Sequence, residues 1–173
     1  MSDFFSKTDL SRKDAEGIIS ETLNKCDDGE LYLENSKSES IVLDDDKIKS
    51  STYSSDLGYG LRAVTGEVVA YSHSNEISRN SLKQSADNLS STLKSRKGVY
   101  NHEIPKTNEK FYKDINPIEE KSLQSKLELL KEVNNYTRAK GGIVQQVTAS
   151  FAGEHKSIAV SYTHLTLPTK DSV

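Results

Sequence analysis

The chain has 173 residues, 34% of them hydrophobic, with 26 acidic against 23 basic side chains and a formal net charge of -3. The charges are spread along the chain, which excludes the strong single-sign field of a nucleic-acid or anionic-membrane binder. A mean hydropathy of -0.66 and the absence of tryptophan leave a lean core for one ordinary domain.

Cys26 is the single cysteine, so an internal disulfide is excluded and a reducing compartment is implied. The first residues, MSDFFSKTDLSRKD, lack the apolar run of a signal peptide, and no stretch of the sequence is apolar enough to cross a bilayer as a helix. The sequence therefore predicts a cytoplasmic protein. No internal repeat is visible.

In chain order, Asp9 or Ser11 caps a first helix, and Ala15, Ile18, Ile19, Leu23 and Cys26 share one of its faces. Asp27 to Gly29 end it. Leu31 and Leu33 begin a strand by alternation, and Ile41 with Leu43 form a second apolar stretch. Asp44, Asp45 and Asp46 suit a turn better than a strand interior, which predicts a hairpin. Tyr59, Leu61 and Ala63 alternate with Gly58, Gly60 and Arg62; Thr65 and Gly66 supply another turn, and Val69 with Tyr71 continue the meander.

A second helix is expected from Ser74 or Asn75 to about Lys94, with Leu82, Ala86, Leu89 and Leu93 as a narrow apolar stripe. Arg96 to Asn116 has no sustained period and reads as a long connection. Asn116, Pro117 and Glu119 form a helix start, and Leu123, Leu127, Leu130 and Val133 are expected to point inward from a third helix that Gly141 and Gly142 stop. Val147, Ala149 and Phe151 alternate in a further strand that is expected to turn at Gly153 and Glu154 before a last strand from Ile158. The fold class is thus α/β in the α+β sense: an antiparallel mixed sheet meander of four or five strands with three helices packed on it.

Candidate sites are each weighed against a plain structural role. Gly58, Gly60 and Arg62 lack the third glycine and the following helix of a phosphate cradle, so a close backbone approach and a strand-face ion pair fit better. The three aspartates lack the spacing of a calcium loop and read as a solvated turn. Cys26 closes an apolar helix face with no neighbouring histidine and reads as core. His155, between Glu154 and Lys156, is expected exposed in a turn. Tyr53, Tyr59 and Tyr71 lack the basic surround of a base-stacking surface.

Two stretches carry a resemblance. LYLENSKSESIVLDDDKIKSSTYSSDLGYGLRAVTGEVVAYSHSNEI, from Leu31 to Ile77, and QVTASFAGEHKSIA, from Gln146 to Ala159, resemble the amino-terminal domain of the TldD/PmbA (TldE) family of zinc metallopeptidases. The GLRAVTGE wording is similar to the TldD branch. The resemblance implies an α/β domain, hydrolysis of peptides in the intact enzyme, zinc as its cofactor and a PmbA/TldE-like subunit as its partner. The family's metal motif is HExxxH, in which two histidines five residues apart hold the metal and the glutamate takes a proton from its bound water.

That motif is missing here. The histidines are His73, His102, His155 and His164, and the one HE pair, His102 and Glu103, is followed by Pro105 and has Thr107 in place of the second histidine. No catalytic, cofactor-binding or metal residue is therefore assigned, and the fragment alone is expected to be inactive and free of bound zinc. From Val160 to Thr169 the run VSYTHLTLPT is similar to one reading frame of a transposase adapter used in DNA library construction, so a TldD-like domain is expected over residues 1–159 and a non-native tail over 160–173, as in a truncated reading frame. The alternative is a stand-alone, non-enzymatic protein-binding module that uses an exposed strand edge.

Overall fold

The computed structural model describes residues 4–6, 8–93, 98, 115–162 and 171–172. In chain order these form α1 (Arg12–Leu23), β1 (Asp28–Asp44), β2 (Lys47–Thr65), β3 (Val68–Ser74), α2 (Arg79–Leu93), α3 (Pro117–Glu120), α4 (Leu123–Arg138), β4 (Thr148–Tyr162) and β5 (Asp171–Ser172). The strand order is β3-β2-β1-β4-β5. β2 and β3 are antiparallel, with Tyr59 opposite Ser74 and Thr65 opposite Val68. β1 and β2 are joined through Asp45 and Asp46 alone, which makes them a hairpin.

The expected fold class holds, and the first two strands are longer than the sequence implied. Leu31–Leu33 and Ile41–Leu43 belong to one 17-residue strand, and β2 runs for 19 residues. The turn expected at Gly153 and Glu154 does not form, because β4 passes through both. α2 begins at Arg79 rather than at Ser74 or Asn75, since β3 uses the chain up to Ser74 and the Ser78 hydroxyl caps the helix by accepting from Ser81 N at 3.1 Å. The third helix is two: Asn116 caps α3, the chain leaves helical conformation at Lys121, and Ser122 caps α4 anew. The connection expected from Arg96 to Asn116 lies almost wholly outside the described residues.

The chain divides into two compact units, and their boundary falls inside β1, β2 and β4. The first holds residues 1–35, 56–113 and 157–173. Its core joins Ala15, Ile19, Leu23 and Cys26 of α1 and its exit turn to Leu31, Leu33, Tyr59, Leu61 and Ala63 of the sheet and to Leu82, Ala86, Leu89 and Leu93 of α2. Ser11 caps α1 by accepting from Asp14 N, so the serine rather than Asp9 fills the role the sequence left open between them. Asp9 instead accepts from Arg79 N at the start of α2. α2 packs on α1 and β3, and Tyr59 Oη lies 2.9 Å from both Ser81 Oγ and Ser85 Oγ, which gives the serine-rich helix a polar seam inside an otherwise apolar contact.

The second unit holds residues 36–55 and 114–156. Its smaller core is Ile41, Leu43, Leu130 and Ala149, with Leu127 and Phe151 packed against it. Here the expected inward face of α4 is corrected. Leu130 and Leu127 do point in, while Leu123 and Val133 are 51% and 45% exposed, and Lys126 and Asn134 are buried in their place. The cause is polar: Lys126 Nζ lies 2.6 Å from Glu39 Oε1 and donates to the Ile118 carbonyl at 2.6 Å, and Asn134 Nδ2 donates to Asp46 Oδ1 at 2.6 Å. Three such contacts set the roll of the helix against the apolar stripe.

Candidate functional site

The glycine and arginine cluster lies in the first unit, on β2 and its neighbours. Neither Gly58 nor Gly60 needs a left-handed backbone, as the positive-φ glycines among the described residues are Gly66 and Gly141. Both serve close approach. A Cβ on Gly58 would come within 2.9 Å of the Ser74 carbonyl, and one on Gly60 within 2.6 Å of Tyr71 Oη and 3.1 Å of its ring. The Tyr71 ring thus lies across Gly60 and stacks with His73 at 5.8 Å between centroids.

Arg62 stands opposite Tyr71 in the β2–β3 ladder. Its Nη2 donates to Asp28 Oδ2 at 2.6 Å and its Nε to Glu30 Oε1 at 3.0 Å. Burial works against the guanidinium charge, and the two carboxylates outweigh it and hold its proton more tightly than usual. Two donors committed to β1 acids make the residue a clamp between strands, so the strand-face ion pair expected from the sequence is what forms. Next along β1, Tyr32 donates to Glu34, and burial together with that carboxylate pushes the phenol up to about 12.

The three aspartates also take the structural role. Asp45 and Asp46 have φ of 45° and 64°, the left-handed pair that a two-residue hairpin turn requires. Their carboxylates are used: Asp45 accepts from Arg138 and, at 3.0 Å, from Val147 N, and Asp44 Oδ1 accepts from Gln146 Nε2 at 2.9 Å and Thr148 Oγ1 at 2.8 Å. Asp45→Ala removes those bonds and puts an unsuited side chain at positive φ, so it should destabilise the protein by about 1–3 kcal/mol in urea titrations. An effect indistinguishable from zero would show that the hairpin does not depend on this turn.

Hydrogen bonds from Gln146 and Thr148 hold the Asp44 carboxyl below its usual range, the Ser11 hydroxyl does so for Asp14, and Lys37 does so for Glu119. Groups whose folded-state pKa is depressed stabilise the fold fully above the unfolded pKa and lose that contribution as pH falls through the folded one. Thermal unfolding midpoints should therefore be level above about pH 5 and fall toward pH 3, with Asp44→Asn removing part of the slope. A rise in midpoint on acidification contradicts this reading.

Cys26 is buried as expected, and burial pushes its thiol up. His155 corrects another expectation: it lies on β4 and not in a turn, half-buried, with Nε2 shielded from solvent and without a hydrogen-bond partner among the described residues. Tyr59 is core, while Tyr53 and Tyr71 are 56% and 65% exposed. His102, Glu103 and His164 lie outside the described residues. Among the described residues no three histidine, cysteine, aspartate or glutamate side chains gather as metal ligands, and no helix is long and apolar enough to cross a membrane. The described residues do not fit a catalytic zinc centre. Sequence reasoning missed the buried Lys126–Glu39 pair; a lysine inside an apolar helix stripe was its only signal.

Comparison with known proteins bears on what such a domain belongs to. Residues 29–93 match the family model described as PmbA/TldA metallopeptidase domain 1. The metalloprotease TldD homolog of Buchnera aphidicola subsp. Acyrthosiphon pisum is 35% identical over 138 residues, which cover 79% of this chain and 29% of that protein. The TldD homolog of Haemophilus influenzae is 31% identical over 147 residues, covering 82% and 30%. The chain spans about 30% of the length of these curated relatives. Among solved structures, a Thermotoga maritima protein named as a modulator of a DNA gyrase superposes with a TM-score of 0.70 at 14% identity, covering 94% of this chain and 36% of that one. TldE from Thermococcus kodakarensis gives 0.64 at 13% identity, covering 92% and 36%. The structures share the fold, and the sequence matches carry the kinship: the chain belongs to the TldD/PmbA metallopeptidase family and corresponds to its first domain.

Proposed function

We propose that this chain is the amino-terminal, non-catalytic portion of a TldD-like zinc metallopeptidase subunit that hydrolyses peptides together with a PmbA/TldE-like partner. The observation that carries the reading is the sequence match to TldD homologues across about four-fifths of the chain, in a chain that has no HExxxH. Zinc, when bound in the intact enzyme, would supply an activated water for amide hydrolysis; this domain's own residues would shape the assembly rather than touch the reacting atoms. The two-acid clamp on Arg62 in the first unit and the stapled Asp44–Asp46 turn in the second each fix the strands of their own unit, which suits a role in shaping rather than in chemistry.

A chimera tests it. Residues 29–159 should replace the matching segment of the Haemophilus influenzae TldD homolog, co-expressed with its partner subunit, and preserve peptide cleavage that a chelator abolishes. The isolated chain should cleave nothing when zinc is added. A folded, assembled chimera without activity, or chelator-sensitive cleavage by the isolated chain, would overturn the reading.

A further inference from the structure

We propose that the outward face of α4 and its exit turn, along Leu129, Val133, Tyr136 and Lys140, is a self-association surface on which the same face of a second copy of the chain lies antiparallel about a two-fold axis. The inference goes beyond the peptidase reading and stands without it. Its first support is where the apolar side chains sit. The buried pair of Lys126 and Glu39 and the bond from Asn134 to Asp46 set the roll of the helix. That roll leaves Leu129, Val133 and Tyr136 50%, 45% and 67% exposed. With Lys140 they recur at spacings of four, three and four residues, which is the seam of a two-helix coil rather than a scatter of single exposed side chains. Lys140 stays on this side of the helix: its backbone N–H donates to the Thr137 carbonyl at 3.1 Å, and its Nζ lies 4.0 Å from the Tyr136 ring centroid, so its aliphatic stem continues the stripe. Just beyond, Ile143 is 90% exposed. All of these residues belong to the second unit.

Spacing and charge choose the occupant and its direction. Reversed, the seam maps onto itself: an axis between Asn134 and Asn135 sets Val133 on Tyr136 of the second copy and Leu129 on the stem of its Lys140. Arg138 is committed to Asp45, and Glu128 accepts from Gln124, so the charges that decide are Glu132 and Lys140, both exposed. Antiparallel packing brings Glu132 of each copy to Lys140 of the other at both ends of the seam. Parallel packing in register would set glutamate against glutamate and lysine against lysine. Ser125 and Ala139, seven residues to either side of Glu132 and on its side of the seam, are small and exposed, which lets two helices approach closely. A 16-residue helix laid on its copy covers less than the roughly 1,600 Å² of a standard interface, so the dimer is a weak and reversible one.

Sedimentation velocity on the full chain over a concentration series tests this, with a reversible dimer as the expected result. Val133→Lys at the centre of the seam should leave the chain monomeric throughout, and Glu132→Lys and Lys140→Glu should each weaken dimerisation at least about tenfold. Mixing the last two variants should restore it, because one then presents two basic groups and the other two acidic ones. All three positions are exposed, and circular dichroism checks that each variant stays folded. A chain that remains monomeric at the highest concentration reachable, a dimer indifferent to Val133→Lys, or a mixture that does not re-form it overturns the proposal. So does a monomer that uses this face only to bind a PmbA/TldE-like subunit.

Discussion

Glu39→Ala is expected to cost the protein about 3–5 kcal/mol, among the largest effects of any single polar substitution here. Lys126 Nζ sits 2.6 Å from Glu39 Oε1, with the two side chains only 4% and 12% exposed. Removing the carboxylate strands an ammonium that has given up its hydration, and the remaining partners are one carbonyl, that of Ile118, and the Phe151 ring 5.6 Å away. Neither offsets a full charge. Replacing both members, as in Glu39→Leu with Lys126→Met, should cost markedly less than Glu39→Ala alone, since the desolvation cost disappears with the charges. Urea unfolding followed by circular dichroism separates the cases. If Glu39→Ala lies within about 0.5 kcal/mol of the parent protein, the pair does not hold α4 in place.

The second large effect is expected in the other unit. Leu61→Ala should destabilise it by about 2–5 kcal/mol, because the side chain is fully buried in the cluster that joins α1 and α2 to the sheet and its removal leaves a cavity as well as lost transfer energy. Tyr71→Ala on the opposite side of the adjacent strand, where the ring is 65% exposed, should cost far less. Parallel denaturation of the two variants checks the contrast, and a similar loss in both would mean that the core is not where Leu61 places it. Because the chain forms two compact units, hydrogen exchange read segment by segment is the better companion measurement: Leu61→Ala should accelerate exchange in α1 and α2 first.

Particular residues explain how far the sequence could be read. The face of α1 follows from Ala15, Ile19 and Leu23 at helical spacing, and the β1–β2 turn from three aspartates that tolerate positive φ; both are local matters, and both are found as expected. The roles of Gly58, Gly60, Arg62 and Cys26 were also legible, because a bulky Cβ is excluded and a paired charge is implied whatever the precise topology. His155 was misplaced. A glycine beside charged residues, GEHK, reads as a turn from local propensity alone, and only a neighbouring strand can hold it extended.

The roll of α4 shows the same limit from the other side. Its leucines and valine predict one inward face, but a lysine and an asparagine with partners distant in sequence, Glu39 and Asp46, outbid Leu123 and Val133. Pairing between residues so far apart leaves no periodic trace.

By itself, then, the sequence determined the local grammar: caps, turns, the apolar faces, the fold class and the family whose wording it carries, since each depends on residues near one another in the chain. Tertiary structure alone decided that the polar stretch ENSKSES extends as strand and that a charge pair rather than a valine is buried beneath α4. Those outcomes rest on backbone hydrogen bonds and desolvated charges between distant segments, whose energies exist only once the segments meet.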